Sequence, residues 1–325
     1  MKAIVIEKAG GPEALEIKEI PTPRPGPGQV LVRVKAAGLN HSEVVTRQGF
    51  SPSVKFPRIL GVECVGVVEE APGSDLKKGQ TVAAVMGGMG RAFDGSYAEY
   101  ACVPATQVLP LATKLDWATL GALPETFLTA HRILRDGLEV KTAASLVVRG
   151  GTSSIGMALI TMAKEWHLPV AATTRNPSKA AALQANGADH VIIDAGKIQE
   201  EVHRLFPGGA WNCVDLIGCN TLHDSLRCVR PKGYCCMAGH LSGQWEMEKI
   251  EPIPFIPYSV RFTTINTHGV SRATDAAALQ SIVERVESGA LRPCLHKTFK
   301  FSEIQAAHRY MDESRAAGKV VLVME

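Results

Sequence analysis

The sequence predicts an α/β protein in which a doubly wound parallel sheet, covered by helices, is joined to a β-rich domain. Three observations carry that prediction. Through the middle of the chain, short apolar runs alternate with helical stretches, the pattern of a parallel sheet covered on both faces. The first third instead carries short strands separated by tight turns. Within that middle region, at 146–156, a buried strand runs into a glycine-rich turn and then a helix. The 325 residues suit two domains better than one. At that length roughly three quarters of the unfolded surface can be buried, so no disulfide or metal staple is needed.

Taken in order, Met1–Glu7 reads as a strand. Pro21–Gly28 is dense in turn formers and reads as an exposed connection. Val30, Val32 and Val34 alternate with Leu31, Arg33 and Lys35, the period of a half-buried strand. Further strands are expected at Cys64–Val68 and Thr81–Val85, with turns at Gly73–Asp75 and Lys78–Gln80. The character changes near Trp117. Strands are expected at Ser145–Arg149, Val170–Thr174, Val191–Ile193, Val214–Ile217, Tyr234–Ala238 and Phe262–Ile265. Helices are expected at Ile155–Trp166, Pro177–Asn186 and Leu222–Val229. From about Ala273 the chain gives a helix at Ala276–Ser288, a strand at Lys297–Phe301, a helix at Ile304–Met311 and a final strand at Lys319–Met324. The proline-rich stretch Gln244–Tyr258 is too irregular to assign.

Composition narrows the function classes. A net charge of +3 gives no reason to propose nucleic acid or an anionic membrane as partner. No apolar run approaches the ~18 residues of a membrane span. The first residues lack the apolar core of a signal peptide, so a cytoplasmic location is expected. None of the eight cysteines forms a C-x-x-C pair, and most sit in apolar stretches, as buried free thiols do.

The turn Gly150-Gly151-Thr152-Ser153-Ser154-Ile155-Gly156 has the chemistry a dinucleotide pyrophosphate requires. Glycines permit the sharp bend, small side chains let the backbone approach the phosphates, and a helix N-terminus offers N–H groups and positive potential. Ser153 replaces the middle glycine of G-x-G-x-x-G, and a ligand-free strand–turn–helix unit is the competing reading. The second strand ends at Thr173-Thr174-Arg175-Asn176-Pro177-Ser178-Lys179, without the acidic residue that accepts the ribose hydroxyls of NAD. Arg175 and Lys179 offer charge to a 2′-phosphate instead. Two charge-assisted hydrogen bonds would favour NADPH over NADH by roughly a hundredfold. The bland alternative is a solvated loop.

Over its whole length the chain resembles the medium-chain dehydrogenase/reductases, in their quinone oxidoreductase (zeta-crystallin-like) branch. The residues carrying the resemblance are Met1–Ala3, Gly38–Glu43, Gly61–Gly66, Phe93–Tyr100, Ala122–Ala130, Asn186–Ile192 and Gly318–Leu322. It implies a GroES-like substrate domain from residues 1–121 and 272–325, a Rossmann dinucleotide-binding domain from 122–271, and a homodimer. It also implies where zinc would sit in zinc-dependent relatives. Their first cysteine ligand falls on Asn40, their histidine on Val62, and their third ligand within Glu125–Ala130, which has no cysteine. With all three replaced, no catalytic metal is expected.

Without a Lewis acid, a conjugated acceptor is the easier substrate, because the charge from hydride addition spreads onto an enolate or hydroquinone oxygen. Such a site needs a hydrogen-bond donor near that oxygen and a proton source. Asn40 is the candidate donor, its alternative being a cap on the turn after Gly38. Glu125 is the second catalytic candidate, as a proton relay, a group orienting the cofactor, or a structural ion pair. Glu63 reads as a supporting carboxylate. His41, Glu43 and Val45 are expected at the substrate, Val45 standing where quinone oxidoreductases often carry tyrosine. Cofactor contacts are expected from Thr129, Gly151, Thr152, Ser153, Ser154, Ile155, Thr173, Thr174, Arg175, Lys179, Ile217, Gly218 and Gly239. The function expected is NADPH-dependent reduction of a quinone or an α,β-unsaturated carbonyl. Two alternatives are a narrow tailoring oxidoreductase or enoyl reductase of secondary metabolism, and an NADPH-binding protein with a non-catalytic role.

Overall fold

The structure is a computed structural model that describes residues 1–141, 143–265, 269 and 272–325. In chain order it begins with β1 (Lys2–Ile6), β2 (Glu16–Glu19), β3 (Gln29–Leu39), α1 (His41–Arg47), β4 (Arg58–Ile59), β5 (Glu63–Glu70), β6 (Thr81–Val85), β7 (Tyr100–Pro104), β8 (Val108–Pro110), α2 (Trp117–Gly121) and α3 (Pro124–Arg132). There follow β9 (Leu146–Arg149), α4 (Ser154–Glu165), β10 (Val170–Thr174), α5 (Ala180–Ala185), β11 (His190–Ile193), α6 (Gln199–Leu205), β12 (Ala210–Asp215), α7 (Leu222–Arg227), β13 (Val229–Met237), α8 (Pro252–Phe255) and β14 (Arg261–Thr264). The chain closes with α9 (Arg272–Glu287), β15 (Leu295–Lys300), α10 (Ile304–Asp312) and β16 (Lys319–Val323).

Two compact units result: Met1–Leu128 with Thr267–Glu325, and Thr129–Asn266. In the first, β15, β16, β3, β5, β6 and β8 follow one another across a sheet that β7 joins through β3, and β2, β1 and β4 form a smaller antiparallel sheet. Its core is the inward face of these strands, with Val30, Val32, Val34, Cys64, Val82, Val320 and Leu322 all buried. The second unit is one six-stranded sheet in the order β11-β10-β9-β12-β13-β14, every pairing parallel. Starting the count at its first strand, that order is 3-2-1-4-5-6, the doubly wound arrangement that binds ligands beyond the carboxyl ends of its strands.

The expected elements are present with shifted bounds. Pro177–Lys179 is a turn of 3₁₀ helix that precedes α5, because the Asn176 side chain accepts from the Ser178 amide and holds the tighter turn. The strand expected at Val214–Ile217 is β12 and ends at Asp215, whose carboxylate bends the chain by accepting from the amides of Ile217 and Gly218 at 2.8 and 2.9 Å. Six of the eight cysteines are buried and all are free thiols. Among the described residues no helix is long and apolar enough to cross a membrane.

Candidate active site

The first constellation lies in the β-rich unit. Leu39 ends β3, and Asn40 is the N-cap of α1, with extended backbone and 9% of its surface exposed. Its own N–H donates to Glu43 Oε2 at 3.0 Å, a carboxylate three residues on that satisfies an otherwise unpaired amide. Glu43 Oε1 accepts from Val62 N at 3.1 Å, tying the start of α1 to the strand entry before Glu63. Burial raises the Glu43 pKa, and the Val62 hydrogen bond and Lys319 oppose that rise.

The centre of this cluster is Lys319, the first residue of the last strand, with none of its side chain exposed. Its Nζ donates to Glu63 Oε1 and to Asn40 Oδ1, both at 2.6 Å, and lies 3.9 Å from Glu125 Oε2. Glu63 Oε2 accepts from the Glu125 amide at 2.8 Å, which anchors the first turn of α3. The Asn40 amide is therefore oriented by its partners: the oxygen faces the ammonium, and one N–H meets Glu63 Oε1 at 3.0 Å. Its other contacts, to Glu43 Oε1 at 3.4 Å and Gly38 O at 3.5 Å, are long for N–H···O bonds. His41 is exposed and Val45 half-buried, and their i, i+4 spacing places them on one face of α1, while Glu43 points inward.

The residues that hold zinc in zinc-dependent relatives do not fit that ion here. Val62 is apolar, Glu125–Ala130 offers neither thiol nor imidazole, and the Asn40 oxygen is taken by an ammonium. Among the described residues no cluster of His, Cys, Asp and Glu could hold a metal.

The second constellation lies in the parallel unit. β9 ends at Arg149, and Gly150 bends the chain with a φ of +86°, a conformation open to glycine. Ser153 caps α4: its Oγ accepts from Gly156 N at 3.1 Å and donates to Gly150 O at 2.8 Å. A Cβ on Gly156 would lie 2.6 Å from Gly150 O, so only glycine lets the helix close on the turn. The Gly150 and Gly151 amides donate to Thr173 Oγ1 at 3.1 Å and Thr173 O at 3.0 Å, fixing the turn to β10. The amides of Thr152, Ser154 and Ile155 meet no acceptor among the described residues. Three unpaired N–H groups at the positive end of a twelve-residue helix are what a pyrophosphate needs, so the residues fit a dinucleotide.

Thr173 and Thr174 are buried at the end of β10, where the Thr174 hydroxyl bonds within its own turn to Asn176. Arg175 is exposed and meets no acceptor among the described residues, and Lys179 is half-buried. Burial lowers the Lys179 pKa, and the nearby Arg175 charge lowers it further, as expected of two cations sharing one patch. Ile217 and Gly218 form the turn after β12, and Gly239 follows β13, both at carboxyl ends of strands. Thr129 is buried in α3. Lys319 escaped the reading of the sequence as a site residue. The signal was there: a lysine opening the apolar run Lys319-Val320-Val321-Leu322-Val323 must be either exposed or paired.

Two family descriptions match the chain: an alcohol dehydrogenase GroES-like domain at residues 26–113 and a zinc-binding dehydrogenase at residues 186–322. A 2-haloacrylate reductase from a Burkholderia species is 29% identical over 99% of this chain and 98% of its own length. A quinone oxidoreductase of Pseudomonas aeruginosa is 27% identical over 99% of each. Among solved structures, the Escherichia coli quinone oxidoreductase complexed with NADPH superposes with a TM-score of 0.90, at 21% identity, over 99% of this chain and 100% of that one. The two-unit architecture, the full-length likeness to quinone oxidoreductases and the matched domains together place this chain in the medium-chain dehydrogenase/reductase family.

Proposed function

We propose that the chain is an NADPH-dependent reductase of α,β-unsaturated carbonyl compounds or quinones that works without a catalytic zinc ion. The observation that carries this reading is the turn with three unpaired amides, followed just past the end of the next strand by Arg175 and Lys179 in place of an acid. The amides of Thr152, Ser154 and Ile155 would hold the pyrophosphate, and Arg175 and Lys179 the 2′-phosphate. When bound, the dinucleotide supplies a hydride. Asn40 would offer its weakly engaged N–H to the substrate oxygen, in an orientation imposed by Lys319 and Glu63. The Lys319 ammonium, behind that amide, adds positive potential where the developing negative charge needs it. Glu125 would steer the same cluster through its proximity to Lys319.

Val45 gives α1 an apolar surface beside His41, which favours a compact conjugated acid or carbonyl over a quinone that a tyrosine would address. The relatives named as 2-haloacrylate reductase and quinone oxidoreductase support both substrate classes. We further propose that two copies associate, since among the described residues β14 is an edge strand carrying Phe262, 37% exposed, and Tyr258, 86% exposed, precedes that strand by three residues.

The test is consumption of reduced nicotinamide by metal-analysed protein, offered enones, haloacrylates and quinones in turn. NADPH oxidation by zinc-free protein, with NADH much poorer, is expected. Arg175→Ala should weaken NADPH binding about tenfold or more while leaving NADH nearly unchanged. Stoichiometric zinc with activity lost to a chelator would overturn the metal-free reading, and equal losses for both cofactors would overturn the role of Arg175.

A further inference from the structure

Arg149 is the last residue of β9, immediately before the turn, and none of its side chain is exposed. Its guanidinium is fully spent. Nε donates to Asp194 Oδ2 at 2.8 Å and Nη2 to Asp194 Oδ1 at 3.0 Å, a bidentate pair. Nη1 donates to Asp224 Oδ2 at 2.8 Å, to Ser225 Oγ at 3.0 Å and to Thr221 O at 3.2 Å, and Nη2 also meets Gly196 O at 3.0 Å.

Asp194 stands beside the cofactor-facing loop. β10 and β11 run parallel with Thr174 opposite Ile193, and the Asp194 amide donates to Thr174 O at 2.9 Å. Arg175 and Asp194 are the residues just past the ends of these two paired strands, and the Arg175 charge acts on the Asp194 carboxyl. Burial works to raise the Asp194 pKa, but Arg149 outweighs it and holds the carboxyl below its usual range, with a smaller pull from Arg175. Without Arg149 that carboxylate would keep the Gly196 amide, which donates to its Oδ1 at 2.8 Å, but its charge would stand uncompensated near Arg175 and any phosphate arriving there.

We propose that Arg149 is a positioning residue for cofactor choice: by gripping the Asp194 carboxylate it leaves Arg175 open to the 2′-phosphate of NADPH. This rests on the reading of Arg175 given above. Arg149 touches none of the three unpaired amides of the turn, so its effect on selectivity runs through Asp194. A merely structural role would weaken NADPH and NADH alike.

The experiment is direct titration of wild-type, Arg149→Met, Asp194→Asn and the double variant with NADPH and with NADH, read as the ratio of dissociation constants. Arg149→Met is expected to cut the preference for NADPH about tenfold, the worth of one charge-assisted hydrogen bond. Arg149→Met/Asp194→Asn is expected to restore it to within roughly threefold of wild type. Equal weakening of both cofactors, or no restoration in the double variant, overturns the proposal. Should Arg149→Met fail to fold, Asp194→Asn decides alone. A preference kept or raised supports the proposal, and one lowered by roughly threefold or more overturns it. Arg175→Ala, run alongside, separates the two readings. If it abolishes the preference while Arg149→Met leaves it intact, only this inference falls. If it changes nothing, the 2′-phosphate reading falls first.

Discussion

Burial pushes the His308 imidazole down to about 3, and the neighbouring Arg47 charge adds to the effect. The ring is 1% exposed, its Nδ1 meets no partner among the described residues, and its Nε2 lies 3.4 Å from the Tyr97 hydroxyl. In the unfolded chain the same imidazole titrates near its ordinary value, about 6.5. Below that pH the unfolded chain takes up a proton that the folded chain refuses. Stability is therefore complete above about pH 6.5 and is lost as the pH falls toward the folded value, by about 2 kcal/mol at pH 5. His308→Phe should remove that component. Urea unfolding at pH 7 and pH 5 should show the variant losing about 2 kcal/mol less than the parent over this interval. Parallel losses would mean that the ring charges freely in the folded protein. Lys319 shows the opposite use of a buried charge. Its ammonium is matched by Glu63 at 2.6 Å, and the pair sets the direction of the Asn40 amide.

At the scale of elements, the α4 N-terminus is where local chemistry and ligand chemistry coincide. Ser153 satisfies the Gly156 amide, Thr173 satisfies those of Gly150 and Gly151, and the N–H groups of Thr152, Ser154 and Ile155 meet no acceptor among the described residues. A methyl group at position 156 would lie 2.6 and 2.7 Å from the carbonyl oxygens of Gly150 and Gly151. Gly156→Ala must therefore pry the turn away from the helix. Dinucleotide affinity, followed by fluorescence titration, should fall about tenfold or more, the worth of one or two lost phosphate hydrogen bonds. Unchanged affinity would place the pyrophosphate elsewhere. β12 and α7 are joined in the same economical way. Asp215 accepts from two turn amides and from the hydroxyls of Thr221 and Ser225, so the loop carrying Ile217 and Gly218 has little freedom to drift.

At the scale of the whole molecule, the chain's two ends share one unit. β16 lies against β3, with Val320 opposite Leu39 and Val321 opposite Gly38. That pairing carries Lys319 to Asn40 across 279 residues of sequence. The parallel sheet ends in β14, whose outer edge is unpaired among the described residues and displays Phe262. Such an edge is a ready template for a second chain. Sedimentation should show a dimer, and Phe262→Asp, which places a charge on that edge, should shift it toward monomer. A wild-type monomer at micromolar concentration would count against the association.

Much of this protein was legible before any coordinates. The alternation of apolar runs with helical stretches, and the glycine-rich turn between Arg149 and Gly156, dictate a parallel α/β sheet because each signal is local. Periodicity and turn chemistry act over a few residues, and a sequence displays them directly. The absence of an acid after Thr174 is equally local. The short α1 and α3, of seven and nine residues, escaped notice because neither is long enough to repeat a helical pattern: α1 is held by carboxylate contacts at its start, and α3 by Glu63. Tertiary structure alone decided the partners of buried charge. Lys319 with Glu63 and Asn40, and Arg149 with Asp194 and Asp224, join residues 45 to 279 positions apart. A buried charge must find its counter-charge wherever the fold brings one within hydrogen-bonding reach, and no local pattern announces where that will be.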